Sequence, residues 1–335
     1  MMKWNDYDSY YTNIGINKAW ESKSGNSTEI NIILCHLLNQ SGVKAYPMLV
    51  STRKNGKVNP AYAFLGQFNK TVVYVPMGAD TANYCVLDAT GKYNSYNEIP
   101  YNLLNSSGIY VDLQNKTTGI IFLENTLPIR KVVLINAEIA ADGKMTGTAD
   151  ISDYGYNRVK SLRIYKNEGE EKYIDYLRNK DNTISISSLK LENMEDDTLP
   201  LTQNFNFKAD LPGSDQNYIY LNTNLFTTLQ TNPFLSDTRS TDIDFGYRDN
   251  YSISGVYKIP AGYKVESLPK NINTITPHNS IGFKRIVIED HGTITIRYVI
   301  DHKKTIFFRE QYADFHEFYK KMFEMLNEQI VLKKA

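Results

Sequence analysis

The chain has 335 residues, which is enough for two domains of ordinary size. Its 37 basic and 37 acidic residues balance both before residue 127 (10 against 9) and after it (27 against 28). This balance excludes the basic surface that nucleic acid or an anionic membrane requires. An apolar fraction of 41% excludes a disordered chain, and no apolar run reaches the ~20 residues of a membrane-spanning helix.

The first 127 residues predict helices followed by an antiparallel sheet. A first helix is predicted over residues 6–23, where polar and aromatic residues alternate. Ser27 or Thr28 is the predicted cap of a second helix, whose apolar residues recur at helical spacing until Ser41 and Gly42 end it. The strands that follow are predicted at residues 43–52, 68–76 and 84–88.

From residue 128 onward, the sequence is dominated by strand patterns separated by turn residues such as Asp142-Gly143. The predicted strands cover residues 132–139, 145–152, 183–191, 202–211, 252–259 and 293–300. Helices are predicted at residues 168–179 and 310–329, and the aromatic residues of the second recur at helical spacing, which indicates a face that docks on the sheet.

These elements predict an α+β fold with two domains. Residues 1–127 are predicted to pack helices on an antiparallel sheet, and residues 128–335 to form a mostly-β, sandwich-like domain with a C-terminal helix.

Cys35 and Cys85 are the only cysteines, which is too few for a disulfide-built scaffold, and they lack the spacing of a zinc or redox site. Both lie in apolar patterns that are typical of buried thiols, and a disulfide between them stays open at this point. The five histidines never recur at the spacing of a metal-binding helix or strand. We therefore predict neither a metal nor a cofactor.

Four short stretches occur in the order and spacing of transglutaminase-like proteins, namely residues 25–31, 42–47, 68–70 and 87–90. Residues 1–127 therefore resemble a transglutaminase-like core. The resemblance implies a papain-like arrangement, in which a nucleophilic Cys begins a helix because the helix dipole stabilises its thiolate. A His on a strand then acts as the base, and an Asp on the next strand orients it.

The chain departs from this family at two of the three positions. Ser27 stands at the Cys position, Lys70 at the His position and Asp88 at the Asp position. A serine hydroxyl needs a base, and Lys70 serves as one only when neutral, whereas a neighbouring Asp88 carboxylate keeps the proton on the amine. The residues therefore predict a degenerate, non-catalytic core. The alternative is an amide-directed hydrolase or acyltransferase that uses Ser27, Lys70 and Asp88.

The second half of the chain is similar to an uncharacterised β-rich domain that follows transglutaminase-like cores in bacterial exported proteins. Residues 168–173, 232–234, 244–247 and 262–269 carry this resemblance. It implies the C-terminal part of a larger cell-envelope protein, periplasmic or extracellular, whose signal peptide lies outside this sequence. A complete cytoplasmic protein that begins at Met1 is the alternative.

A non-catalytic envelope module is expected to bind a peptide, a protein or a glycan. The 25 Tyr and 33 Asn residues keep a glycan-binding module open as a second alternative, because both side chains form flat hydrogen-bonding surfaces. Codon bias in an AT-rich genome produces the same counts. No nucleic-acid partner and no transmembrane segment are expected.

Overall fold

The computed structural model describes residues 2–78 and 83–335. The chain folds into two compact units, the N-terminal unit (Met1–Thr126) and the C-terminal unit (Leu127–Ala335). Both consist mostly of sheets with few helices, which confirms the predicted α+β class. None of the helices in the described part of the chain is long and apolar enough to cross a membrane.

In its described residues, the N-terminal unit contains two α-helices and a five-stranded antiparallel sheet. Its elements are β1 (Lys3–Trp4), α1 (Ile16–Ser22), β2 (Ser24–Gly25), α2 (Ser27–Gln40), β3 (Tyr46–Val50), β4 (Lys70–Pro76), β5 (Tyr84–Leu87), β6 (Ser106–Asp112) and β7 (Thr117–Leu123). Strand β1 pairs in parallel with β2, and the larger sheet has the order β5-β4-β3-β6-β7. Strands β6 and β7 were not predicted, because Ser, Thr and Gly at their beginnings weaken the strand pattern.

Each face of this sheet carries its own apolar layer. Helix α2 covers one face, where Cys35 packs with Val73 and Val75 of β4. The opposite layer contains Met48, Val50, Val72, Tyr74, Val86, Leu103 and Leu123. Cys35 and Cys85 are both free thiols, and burial raises the pKa of each thiol above its ordinary value.

The first predicted helix is wrong over its first half. Residues 6–23 were expected to be helical, but the helix spans only Ile16–Ser22, and Gly15 enters it with a φ of 85°. The cause is Glu29, whose Oε1 accepts hydrogen bonds of 2.6 to 3.1 Å from the backbone N–H groups of residues 13–15. A long-range carboxylate therefore fixes this backbone in a non-helical shape.

The cap of α2 also differs from the prediction, because Asn26 rather than Ser27 or Thr28 is the capping residue. Asn26 Oδ1 accepts a hydrogen bond of 2.9 Å from the N–H of Glu29, and Glu29 Oε2 accepts one of 2.9 Å from the N–H of Asn26. This reciprocal capping box leaves the hydroxyls of Ser27 and Thr28 available for other contacts.

The C-terminal unit is built on one large sheet. Its elements are β8 (Ile129–Ile139), β9 (Lys144–Asp153), α3 (Gly155–Glu168), α4 (Glu170–Leu177), β10 (Ile184–Glu192), β11 (Leu201–Asp210), β12 (Tyr218–Leu221), β13 (Ile243–Asp244), β14 (Asp249–Lys258), β15 (Tyr263–Ser267), β16 (Ile272–Ile275), β17 (Ile281–Asp290), β18 (Thr293–His302), β19 (Ile306–Phe307), α5 (Tyr312–Leu326) and β20 (Ile330–Lys334). Eight strands form a sheet of order β10-β11-β9-β8-β14-β18-β17-β16, in which only β8 and β14 run parallel. Smaller sheets have the orders β12-β20-β15 and β13-β19.

The helices of this unit agree with the prediction in part. Helix α5 lies within the predicted 310–329 and buries its aromatic stripe, including Phe315, Tyr319 and Phe323. Helix α4 lies within the predicted 168–179, but α3 was not predicted because its Lys, Arg and Asn residues obscure the helical repeat of apolar positions.

Candidate functional site

The three residues singled out in the sequence lie at one end of the N-terminal sheet. Ser27 is the first residue of α2, Lys70 is the first residue of β4, and Asp88 directly follows β5. Helix α2 packs against β4, and β5 pairs antiparallel with β4, so the three elements bring these positions to the same end. All three residues are buried, with exposed fractions of 0%, 2% and 7%.

Lys70 is a buried cation surrounded by oxygen atoms. Its Nζ lies 2.8 Å from Asp88 Oδ2 and donates a hydrogen bond of 2.9 Å to Thr90 Oγ1. Asp8 Oδ1 lies 3.0 Å from the same ammonium and forms an ion pair with it, without a well-aligned hydrogen bond. The ring of Trp4, with its centroid 5.3 Å away, adds a cation–π contact. Lys70 therefore joins two carboxylates.

Both carboxylate oxygens of Asp88 have partners. Besides the ion pair with Lys70, its Oδ1 accepts hydrogen bonds from Asn31 Nδ2 (3.0 Å), and from the N–H (3.1 Å) and Oγ1 (2.7 Å) of Thr90. Asn31 also donates to the carbonyl of Thr71 and accepts from the N–H of Ala89, both at 2.9 Å. Asn31 thus ties α2 to both strands through one buried carboxamide.

Ser27 is engaged by the backbone of Ser9 and makes no hydrogen bond with Lys70 in the part of the chain that the structure describes. Ser27 Oγ accepts a hydrogen bond of 3.0 Å from the Ser9 N–H and donates one of 3.1 Å to the Ser9 carbonyl. The N–H of Ser27 donates to the carbonyl of Tyr7 at 3.1 Å. Both the hydroxyl and the amide that an acyl-transfer site would need are therefore in use.

These partners belong to one segment, residues 3–15, which we call the N-terminal strap. It pairs with β2 at Lys3, crosses the start of α2 at Ser9, and accepts a hydrogen bond of 2.9 Å from Asn26 Nδ2 at the carbonyl of Tyr11. Its end, residues 13–15, donates to Glu29. The N-terminal strap thus occupies the beginning of α2, where a substrate would have to approach Ser27.

Glu29 anchors the N-terminal strap as a charged group. Burial acts to raise the pKa of this carboxyl, but hydrogen bonds from the backbone N–H groups of Asn26 and of residues 13–15 outweigh burial and lower the pKa below its ordinary value. A fully buried carboxylate is thereby kept ionised at neutral pH.

Several residues of this network were not foreseen from the sequence. Asn31 and Thr90 lie inside the stretches that carry the family resemblance, so their position was a usable signal. Asp8 and Ser9 gave none, because they fall in a region predicted to be helical. Among residues 2–78 and 83–335, no group of His, Cys, Asp and Glu is arranged to hold a metal ion.

Four of the 25 tyrosines, the residue type considered for glycan binding, gather on the sheet face opposite α2. The rings of Tyr74 and Tyr110 stack with centroids 4.6 Å apart, Tyr46 lies 5.7 Å from Tyr110, and Tyr84 lies 5.7 Å from Tyr74. Tyr74 is buried and the other three are half-buried against the apolar layer around Met48. These rings are part of the packing of the sheet.

Comparisons with known proteins bear on the fold. Residues 217–332 match a family described as a domain of unknown function with a solved structure, DUF3858. A crystal structure of a protein from Parabacteroides distasonis ATCC 8503, provisionally described as a protease, is similar to 95% of this chain with a TM-score of 0.50 and 14% identity. The likeness covers 46% of that protein, so this chain spans about half its length. A search of curated proteins finds no match.

Proposed function

We propose that residues 1–127 are a degenerate transglutaminase-like core and that the protein acts as a non-catalytic binding or structural module. The observation that carries the proposal is the closed network in which Ser9 engages Ser27 while Asp8, Asp88 and Thr90 surround Lys70. The papain-like arrangement is supported by a helix packed on an antiparallel sheet, with the three positions at one end.

The hydrolase alternative asks more of these residues than the network allows. Attack by Ser27 requires a base within hydrogen-bond reach and open space for a carbonyl group. The Ser27 hydroxyl instead donates its proton to the carbonyl of Ser9, which is part of the N-terminal strap. Lys70 Nζ is engaged by Asp8, Asp88 and the hydroxyl of Thr90 and not by Ser27.

The proposal extends to the C-terminal unit and to location. The small sheet β12-β20-β15 and helix α5 contribute to the same apolar core as the eight-stranded sheet, which supports a sandwich-like packing. The similarity to β-rich domains of bacterial exported proteins supports a role in the cell envelope. Detection of the native protein in the cytosolic fraction of its source cells, rather than in the envelope, would contradict that location.

A serine-reactive fluorophosphonate probe tests the non-catalytic assignment directly. We expect the full chain to remain unlabelled at Ser27, because its hydroxyl has neither a base nor access to solvent. The readout is the labelled peptide in mass spectrometry, compared between the unaltered chain, Ser27→Ala and the control Ser41→Ala. Ser41 is an exposed serine at the other end of α2, so its replacement leaves the candidate site intact.

Labelling that disappears in Ser27→Ala but persists in Ser41→Ala would overturn the non-catalytic proposal and favour the hydrolase. Labelling that persists in both variants arises at other serines and leaves Ser27 inert, as proposed.

A further inference from the structure

The C-terminal unit contains a cavity of about 450 Å³, within the range of ligand sites in proteins. Its floor is apolar and buried, and includes Met145, Ile184 and Phe226. Its walls include the carboxamide side chains of Asn179, Asn222, Asn224, Gln230 and Gln329, of which Asn224 already uses both its Nδ2 and its Oδ1 within the protein. A cavity with an apolar floor and many neutral polar groups fits a ligand that is apolar on one face and hydrogen-bonding at its edges.

One of these carboxamides carries an unused hydrogen-bond acceptor. Gln230 Oε1 is buried and has no hydrogen-bond partner in the described chain, while Gln230 Nε2 makes only a long bond of 3.4 Å to the carbonyl of Asn224. A buried acceptor without a partner destabilises the folded state, because the acceptor has lost its hydrogen bond to water. Because that oxygen is shielded from solvent, the Gln230 side chain must turn toward the cavity before a ligand hydroxyl can donate to it, and that bond would then satisfy the acceptor.

The cavity wall also contains backbone strain. Phe226 has a φ of 57°, in the left-handed region that a bulky residue rarely adopts. Its ring packs edge-on between Phe205 and Phe207, with centroids 5.0 Å from each, so the surrounding core maintains the strained backbone. Strain of this kind concentrates at binding sites, and here it lies beside the unused acceptor of Gln230.

The charges around the cavity select against an anionic ligand. Arg178 is the one cation among the lining residues, and its guanidinium already bonds to Asp175 and to the carbonyl of Ile184. Asp181 and Asp210 line the cavity as well, and their carboxylates would repel an anion. From the carboxamides, the free acceptor and these charges, we propose that the cavity binds a neutral saccharide.

A saccharide matches these groups better than a peptide does. A carboxamide presents a donor and an acceptor side by side, and each sugar hydroxyl both donates and accepts, so neighbouring hydroxyls on a ring can bond to one carboxamide. An extended peptide presents one N–H and one C=O per residue, whereas each sugar ring presents several hydroxyls that both donate and accept. Tyr220 and the apolar floor offer contact to the C–H face of a sugar ring.

This inference gives the proposed binding module a ligand and rests on that role, but it concerns a different unit from Ser27. Labelling of Ser27 would overturn the proposed function and leave a binding result at this cavity unchanged. Failure of saccharide binding would overturn the inference and leave the non-catalytic assignment unchanged.

The test is isothermal titration of the full chain with neutral disaccharides: cellobiose, maltose, mannobiose and diacetylchitobiose. Chitobiose, the cationic counterpart of diacetylchitobiose, digalacturonic acid as an anion and trialanine as a peptide serve as comparison probes. We expect at least one neutral disaccharide to bind and Gln230→Met to weaken that binding at least tenfold. The matched control is Gln114→Met, at an exposed glutamine in the N-terminal unit, and it should leave the affinity unchanged.

Three outcomes would overturn the inference. The first is the absence of heat from all four neutral disaccharides at millimolar concentration. The second is tighter binding of chitobiose, digalacturonic acid or trialanine than of every neutral disaccharide. The third is saccharide binding that Gln230→Met and Gln114→Met affect equally, which would locate the ligand elsewhere.

Discussion

Each unit of this protein contains a buried lysine paired with a buried aspartate. In the N-terminal unit Lys70 pairs with Asp88, and in the C-terminal unit Lys131 Nζ lies 2.9 Å from Asp153 Oδ1. Asp153 also accepts hydrogen bonds from Ser161 Oγ (2.6 Å) and Gln203 Nε2 (2.9 Å), just as Asp88 accepts from a hydroxyl and a carboxamide. The two networks use the same groups in the same roles.

The similarity of the two networks indicates that the Lys70 site is a structural network. The pair in the C-terminal unit lies where no catalytic position was predicted. Its charged groups are bound by other groups of the protein, as in a structural network. The pair in the N-terminal unit occupies two of the positions that the proposed transglutaminase-like resemblance assigns to a catalytic triad, yet its charged groups are bound by protein partners in the same way. The difference lies in Asp8, the second carboxylate that the N-terminal strap brings to Lys70.

The C-terminal pair has pKa shifts of both signs. Burial acts to lower the pKa of Lys131 and to raise that of Asp153. The attraction between the two charges and the hydrogen bonds to them together outweigh burial, so the pKa of Lys131 is raised and that of Asp153 is lowered. The stability from Asp153 is present above its ordinary pKa of 3.8 and is lost as pH falls through its lowered pKa. The stability from Lys131 is present below 10.5 and is lost as pH rises through its raised pKa.

The largest effect is expected for Asp153→Ala, which leaves Lys131 as an uncompensated buried charge. We expect the C-terminal unit to lose about 4 kcal/mol of unfolding free energy. Urea unfolding followed by far-UV circular dichroism measures the loss. Asp142→Ala is the control, because Asp142 forms an exposed ion pair with Lys144 and its removal should change little. Equal effects of the two substitutions would show that the buried pair does not stabilise the unit.

Lys70→Met should cost less, about 3 kcal/mol, because Asp88 keeps its hydrogen bonds from Asn31 and Thr90 after the cation is removed. Tryptophan fluorescence during urea unfolding reports on the N-terminal unit, since both tryptophans lie there. The exposed Lys54→Met is the matched control. An unchanged midpoint for Lys70→Met would break the parallel between the two networks.

Glu29→Gln tests the anchor of the N-terminal strap. Replacing the carboxylate by a neutral amide weakens the hydrogen bonds from residues 13–15 and should cost about 2 kcal/mol at pH 7. Because the pKa of Glu29 is lowered on folding, the unaltered chain should lose this stability as pH falls below the ordinary value of 4.5. Tryptophan-monitored unfolding between pH 7 and pH 3 should show a smaller pH dependence in Glu29→Gln, and an identical dependence would refute the anchoring role.

The smallest effect is expected for Ser27→Ala, which removes the reciprocal hydrogen bonds with Ser9 and should cost about 1 kcal/mol. Thr28 Oγ1 still donates to the Ser9 carbonyl at 2.7 Å, so one bond remains there. The same fluorescence assay measures the change, with Ser41→Ala as the exposed control. A stabilised Ser27→Ala would indicate that the hydroxyl is strained, as a functional group would be, and not structural.

The sequence predicted those parts of the fold that depend on local periodicity. The sequence shows the apolar repeat of α2, the aromatic stripe of α5 and the alternation along β8, because each of these elements buries one face. The N-terminal strap could not be predicted, because its shape depends on Glu29, which is distant in sequence. The position of Ser27 at a helix start followed from local pattern, whereas its inaccessibility depends on Ser9, a residue without any signal of its own.

The parallel pairing of β8 with β14 sets the order in which the large sheet can form. Asp249 pairs with Ile129 across a long stretch of intervening chain, so synthesis leaves β8 with an open edge until β14 emerges. Non-local pairing of this kind is slow and exposes unpaired strand edges during folding. We therefore expect the amides that bond between β8 and β14 to gain protection late in pulsed hydrogen exchange, after those of the hairpins β8-β9 and β17-β18.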